Sequence, residues 1–511
     1  MPETSPFFVD EFSNVHTRDV ELGRGGQGVV FRTKDADIAL KLALDGNGDP
    51  KPRCSESHQF GMLRLLPIPD RLPLSMPLAM LRDHEGYIMR LLGDMVSFKR
   101  FWPSGDGPAS QMEIPEWLKA APESAARELA NYASTGGLRR RLLALYKCSA
   151  VLSRLHAAGL VYGDVSPANA YISEHPESRE VWLIDADNLQ FDVKGRGPII
   201  WTPKFGAPEM LQGINGIGTA TDCHAFAVMN FWLLTSIHPF EGDYLDDDDS
   251  DWAEEETDDP FGHLPEKVID ALRVVREQCQ WSNRETLAYA GLVPWVDDDD
   301  DDSNSASNGL PRSLVFTDGL RKLFQLTFGD GRIDPACRPA MLHWPLALAA
   351  ALDLCIPCPG CGMGYYCDSA DDAQKCPYCG AGRPMLVSAA RSESSANGGL
   401  EQVWSWLHPL TENPEAPVKV PHRVLYPFSP VNGDRDMFQI SMTDQSITIA
   451  SSEGRESADC ELRLGLGGDA KRVPLKKRVI LPRAEGIAGF EICACQRGAG
   501  PVSFTFLPAV P

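Results

Sequence analysis

A chain of 511 residues exceeds what one hydrophobic core organises, so about two to four domains are expected. Apolar residues make up 43% of it, which excludes global disorder, and a formal net charge of −23 argues against a general binder of nucleic acid or anionic membranes. The excess is local: residues 241–259 hold twelve acids and no base, and residues 297–302 are an unbroken acidic run. The first residues lack a basic segment followed by an apolar one, and the most apolar stretch, 344–354, is too short for a bilayer. A cytoplasmic protein is therefore expected. Four of the fourteen cysteines sit in two Cys-x-x-Cys pairs, which fits metal binding in a reducing compartment better than disulfides.

In chain order, residues 20–22, 29–31, 38–44 and 86–91 predict strands, and 55–66 a helix. From about residue 100 the pattern turns helical. Leu138, Leu142, Leu145, Leu152 and Leu155 recur at helical spacing, and Gly159 supplies the stop. The acidic stretches 243–263 and 297–309 predict loops, because like charges at this density repel. A cysteine-rich module at 355–384 is followed by a Ser/Ala/Gly stretch at 388–399 that reads as linker. Alternation at 438–442 and 446–449 predicts a small β domain. The fold class is α+β, divided at 15–95, 96–353, 355–384, 385–419 (linker) and 420–511.

Five motifs carry chemistry. Gly23, Gly25 and Gly28 punctuate a turn followed by Val29-Val30-Phe31, a strand signal where a dinucleotide-binding fold needs a helix. Lys41 interrupts the apolar run 38–42, where a lysine is costly unless paired; an outward-facing lysine is the plain alternative. Asp164 and Asn169 lie in Gly-Asp-Val-Ser-Pro-Ala-Asn. Asp185 ends the apolar run 181–184 within Asp-Ala-Asp, whose second acid, Asp187, reads as exposed rather than as a metal contact. Gly206-Ala207-Pro208-Glu209 follows, and Arg338 lies far downstream.

Cys358, Cys361, Cys376 and Cys379 form two Cys-x-x-Cys-Gly turns separated by fourteen residues, which predicts a closed, structural Zn2+ site of four thiolates. Cys355 and Cys367 read as bystanders. Only Lys375 and Arg383 are basic in this module, so it is not expected to bind nucleic acid. Lys471, Arg472, Lys476, Lys477, Arg478 and Arg483 form a basic cluster, read as a solvated strand face or as a dock for acidic segments.

In order and spacing the five motifs resemble those of protein kinases, over roughly residues 15–353. The resemblance implies a bilobal fold, with an N-lobe at 15–95 and a C-lobe at 96–353 interrupted by the two acidic insertions. It implies that Gly23, Gly25 and Gly28 cover the phosphates of ATP. Lys41 would contact the α- and β-phosphates, held by a helix residue, Glu56 in preference to Gln59. Asp164 would be the catalytic base, and Asn169 and Asp185 the Mg2+ ligands. Glu209 would pair with Arg338, and Asp222 would brace the loop that carries Asp164. The chain departs from the family at Tyr162-Gly163, in place of His-Arg, at Ser166, in place of lysine, and in Asp-Ala-Asp, which lacks the usual Phe and Gly. Without the arginine, no phosphate on 188–205 should be needed for activity, and Thr202 should be dispensable.

The sequence is thus similar to bacterial-type eukaryotic-like Ser/Thr protein kinases carrying a C-terminal zinc ribbon. It is more faintly similar to kinases of tellurium-resistance-associated phosphorylation systems, which work beside a PP2C-type phosphatase and a von Willebrand factor A-type protein. The expected function is transfer of the ATP γ-phosphate to Ser/Thr of a protein partner. The alternatives are a pseudokinase scaffold that acts through its zinc ribbon and tail, and a kinase of small molecules.

Overall fold

The computed structural model describes residues 6–25, 28–53, 59–102, 113–119, 122–176, 178–193, 201–246, 261–262, 264–368, 373–394, 400–413, 415–427, 435–452, 460–464, 471–475, 478–494 and 501–510. The chain divides into two compact units. The first holds residues 1–102, 147–309 and 321–344; the second holds 103–146, 310–320 and 345–511.

The first unit opens with six antiparallel strands: β1 (Phe7–Val9), β2 (Val15–Gly25), β3 (Gly28–Thr33), β4 (Ile38–Ala43), β5 (Pro77–Met80) and β6 (Gly86–Arg90). Their order is β1-β2-β3-β4-β6-β5. The two ends of the sheet meet, because Asp10 bridges Leu81 and the Arg82 N–H donates to the Val9 carbonyl at 2.9 Å. The closed sheet encloses Phe8, Val29, Phe31, Leu40, Leu42, Ala79, Leu81 and Ile88. Alternation along β4 sends Leu40 and Leu42 into this core and therefore aims Lys41 at the opposite face. β1 and β5 have no counterpart among the predicted strands. Each is only three or four residues long, and β5 begins with proline, which sheets tolerate at an edge or a strand start. The helix expected over 55–66 is described as Gln59–Leu63, with 54–58 outside the described residues.

Beyond the sheet, β7 (Met95–Ser97), β8 (Leu160–Val161), β9 (Ala170–Ser173), β10 (Val181–Leu183) and β11 (Gln190–Phe191) form two small sheets, β10-β9-β7 and β11-β8. They fix both ends of the loop 162–169 and the start of the Asp185 turn. The helix Gly137–Ala157 buries all five leucines of the predicted stripe, and Gly159 follows at φ +73°. The helix Thr219–Thr235 is apolar on every side and buried along most of its length, as the middle of a core requires. Of the acidic stretches, 247–260 and 263 lie outside the described residues; 297–309 holds no helix or strand.

The second unit contains the helices Glu123–Ser134 and, for the most part, His343–Leu354. It continues with β12 (Cys355–Pro357), β13 (Gly364–Tyr366), β14 (Leu386–Ser394), β15 (Leu400–Pro409), β16 (Val418–Pro421), β17 (Asp436–Met442), β18 (Ser446–Ser451), β19 (Cys460–Leu464), β20 (Lys471–Pro474), β21 (Arg478–Pro482), β22 (Phe490–Ala494) and β23 (Val502–Leu507). Two sheets, β15-β14-β23-β22-β19-β20 and β16-β17-β18-β21, share one apolar core.

Two expectations need correction here. The segment 385–419 is no linker: β14 lies between β15 and β23, and Ser388, Ala390 and Ser392 alternate with the buried Val387, Ala389 and Arg391. Residues 103–146 and 345–353, expected in the same lobe as the catalytic loop, cluster instead with the tail. The reason is polar. Arg139 Nη1 donates to the Cys355 carbonyl at 2.5 Å. Asp353, nearly inaccessible, accepts from Arg423 Nη2 at 2.6 Å and from Trp404 Nε1 at 2.9 Å.

Candidate active site and metal centre

The strands β2 and β3 meet at Gly25 and Gly28, which pair directly; Gly26 and Gln27 lie outside the described residues. Gly28 has a reason in the fold itself. A Cβ there would sit 2.5 Å from the Leu42 carbonyl oxygen, so any side chain would push β3 away from β4. Gly23 and Gly25 have open space where a side chain would be, consistent with a loop that must come close to something else.

Lys41 Nζ lies 2.5 Å from Asp185 Oδ1 and 2.7 Å from Asp187 Oδ2. Burial opposes the lysine's charge, but the carboxylates of Asp187 and Asp185 more than offset this and raise its pKa above the ordinary lysine value. Tyr87 stands directly opposite Lys41 in the β4–β6 ladder, and its hydroxyl donates to Asp187 Oδ1 at 2.7 Å. Burial holds the Tyr87 phenol protonated far beyond neutral pH, which fixes it as the donor. Phe60 of the short helix meets the Tyr87 ring edge-on at 5.1 Å.

The expectation for Asp187 is therefore wrong: it is 6% exposed and bonded on both oxygens. The usual glycine at this place hides the signal. What could have revealed it is a second acid two residues beyond Asp185, within reach of a lysine that needs a partner. Glu56, expected to hold Lys41, lies outside the described residues, and Gln59 begins the short helix.

Asp185 follows β10 with φ +59°, a left-handed conformation that costs a non-glycine residue about 1 kcal/mol or more and is typical of functional turns. It opens a 3-10 turn, Ala186–Asn188, that carries Asp187. The Ile184 N–H donates to the Asn169 carbonyl at 2.9 Å, so the Asp185 turn and the end of the 162–169 loop lie side by side.

That loop is held from beneath. Asp222 accepts from the Tyr162 N–H at 2.8 Å and the Gly163 N–H at 2.9 Å, and His156 Nε2 lies 3.0 Å from the same carboxylate. The Tyr162 hydroxyl donates to the Ile184 carbonyl, tying the loop to the Asp185 turn. Gly163 sits at φ +81°, and a Cβ there would meet Asn188 O at 3.1 Å and Ile217 Cγ2 at 3.2 Å. No side chain fits.

Asp164 Oδ2 accepts from Asn169 Nδ2 at 2.8 Å, and Oδ1 accepts from the Thr202 hydroxyl at 2.6 Å. Burial raises the Asp164 carboxyl above the ordinary range; the Thr202 hydrogen bond partly counters this, and the charge of Asp185 adds to it. Thr202 is thus bonded to the expected base, a contact that its sequence context did not suggest. Downstream, Arg338 grips Glu209 with two parallel bonds of 2.7 Å, both groups nearly inaccessible, which is the ion pair that the resemblance implied.

The four cysteines of the two knuckles come together in the second unit, their sulfurs all within 4.8 Å of one another. Cys358 Sγ lies 3.5 Å from Cys379 Sγ, and Cys361 Sγ lies 3.7 Å from Cys376 Sγ. A tetrahedral ion with bonds of about 2.3 Å spaces its sulfurs by about 3.8 Å, so the four thiols could hold Zn2+. The two turns repeat one geometry. Gly362 N–H donates to Cys358 O and Gly380 N–H to Cys376 O, each at 2.9 Å, with the two glycines at φ +74° and +72°. Cys355 and Cys367 are buried nearby and outside the cluster.

No family model matches the chain. Among known proteins, serine/threonine-protein kinase pkn2 of Myxococcus xanthus is 26% identical over 231 residues, which is 43% of this chain and 24% of that protein. The DNA damage-responsive serine/threonine-protein kinase RqkA of Deinococcus radiodurans is 25% identical over 225 residues, 43% of this chain and 30% of that protein. Serine/threonine-protein kinase GRIK1 of Arabidopsis thaliana is 30% identical over 159 residues, 28% of this chain and 36% of that protein. The chain thus spans between about a quarter and a third of these relatives' lengths. Over less than half of its own length, it is a distant relative of Ser/Thr protein kinases.

Proposed function

We propose that this chain is a protein kinase that transfers the γ-phosphate of ATP to Ser/Thr of a protein partner, on a bilobal kinase fold. The observation that carries the reading is the convergence of Lys41, Asp185, Asn169 and Asp164. They come from a strand of the first sheet, a turn after β10 and a loop before β9, and they meet in one buried polar site.

Asp185 and the Asn169 amide oxygen would hold Mg2+, and ATP bound with it would supply the phosphoryl group. Lys41 brings a permanent positive charge to the phosphates. Asp164 aims the acceptor hydroxyl and takes its proton, and its raised pKa makes it a stronger base than an exposed aspartate. Asn169 and Thr202 fix the two oxygens of Asp164, which limits the direction from which a hydroxyl can approach. Asp222 holds the loop that carries these groups.

In the second unit, Cys358, Cys361, Cys376 and Cys379 would hold Zn2+ with four thiolates, and a site so filled would serve structure rather than chemistry. Protein partners to try first are a PP2C-type phosphatase and a von Willebrand factor A-type protein, the companions of the similar kinases. Among the described residues no helix is long and apolar enough to cross a membrane.

One observation favours a nucleotide-binding scaffold instead. Ser166 stands where kinases keep a lysine, and its hydroxyl is buried without a hydrogen-bond partner among the described residues. Incubation of the full chain with ATP, Mg2+ and candidate proteins, followed by phosphosite mapping, separates the two. Labelling of Ser or Thr that Asp164→Asn removes supports the kinase. ATP–Mg2+ binding without any transfer supports the scaffold.

A further inference from the structure

We propose that Asp187, fixed by Tyr87, is the resident anchor of Lys41, so that the lysine's position is set by the metal-binding turn rather than by a helix acid. The inference rests on the kinase reading of the site and concerns how that site is assembled.

Lys41 has two described carboxylate partners, and they differ in kind. Asp185 is about one-third exposed and projects from a strained residue, free to take another ligand. Asp187 is buried, and it is bonded on one oxygen to Tyr87 and on the other to Lys41. When a cation takes Asp185, the ammonium keeps Asp187. A buried ammonium that lost both partners would pay a large desolvation penalty, so one of the two must remain.

Tyr87 completes the device. It faces Lys41 across the β4–β6 ladder, so the strand that bears the lysine and the strand that bears the phenol both reach the same carboxylate. The carboxylate sits two residues after Asp185, on the same 3-10 turn. One short turn therefore positions both the metal ligand and the phosphate-binding lysine. Asp187 touches no reacting atom and is a positioning residue.

The test uses the full chain and two readouts, phosphate transfer and binding of a fluorescent ATP analogue with Mg2+. Asp187→Asn keeps the shape and removes the charge. It should lower kcat/KM for ATP by about tenfold to a hundredfold, with an unchanged melting temperature and at least tenfold more loss than Glu56→Gln. Tyr87→Phe should lower it by about fivefold, one hydrogen bond's worth. In a Lys41→Met background, Asp187→Asn should add nothing, because its effect passes through the lysine. The proposal is overturned if Glu56→Gln matches Lys41→Met while Asp187→Asn is near wild type. It is also overturned if Asp187→Asn raises the Mg2+ requirement and stays additive to Lys41→Met, which would make Asp187 a metal ligand. If the wild type binds the analogue but transfers nothing, the kinase reading fails. The anchor then stands or falls on whether Asp187→Asn and Lys41→Met weaken binding equally and non-additively. No binding by the wild type overturns both.

Discussion

The two polar centres of this molecule are built in opposite ways. Around Lys41 the partners are far apart in sequence, with Lys41 and Asp185 separated by 144 positions and Glu209 and Arg338 by 129. They meet because strands and helices with their own apolar cores carry them there. Around the four cysteines, every candidate ligand lies between 358 and 379, and the two turns rest on a small apolar cluster that includes Ile356, Tyr365, Leu386 and Leu407. In the first centre the fold makes the chemistry; in the second a metal would join the two turns on top of that cluster. Substitutions at the first should therefore silence function and spare structure, while substitutions at the second should do the reverse.

The strongest way to break that contrast is at the first centre. Asp185→Asn and Asp164→Asn should each reduce phosphate transfer by about a thousandfold or more, with circular dichroism and melting unchanged. Unfolding by either variant would mean that the site holds the fold after all. At the second centre, Cys358→Ser or Cys376→Ser should release one zinc per chain, read by elemental analysis, and expose 355–384 to protease. A ribbon that stays protected without metal would undo the comparison from the other side.

A third test concerns the seam of the second unit. Asp353→Ala leaves the Arg423 guanidinium buried without its carboxylate, a loss of about 3–5 kcal/mol from that unit's stability in denaturant. For the same reason, a chain cut after 353 separates Asp353 from Arg423 and Trp404. Such a cut should yield an aggregation-prone protein rather than a well-behaved kinase fragment. The smallest expected effect is at Thr202. Replacement by alanine should lower transfer by about tenfold, because Asp164 loses its 2.6 Å donor, and serine should restore most of it. An alanine variant with full activity would return Thr202 to the dispensable role that its sequence context suggests.

What the sequence revealed follows the same contrast. The cysteines were legible at once, because their whole geometry is written in twenty-two consecutive positions, 358–379. Lys41, Asp164, Asn169 and Asp185 were legible through short motifs, although their meeting was not something spacing alone could show. Asp187 was missed because its importance depends on Lys41, 146 positions earlier, and on Tyr87, on a strand between them. β14 was hidden by composition: Ser and Ala resemble a linker in one dimension, and only pairing with β15 and β23 turns their alternation into sheet. The division into units was invisible for a related reason. The leucine stripe of Gly137–Ala157 declares that it is buried, but not what it is buried against.

Gly163 also bears on what this protein could become. Its left-handed backbone, crowded by Asn188 and Ile217, would strain any side chain, so a single codon change to arginine there would disturb the loop as it introduced the charge. Control by phosphorylation of the neighbouring segment is thus more than one replacement away from the present sequence, because the backbone at 163 and at 188 would have to move with it. A lineage starting from this chain would find regulation more readily by changing its supply, its location or its partners than by adding that switch.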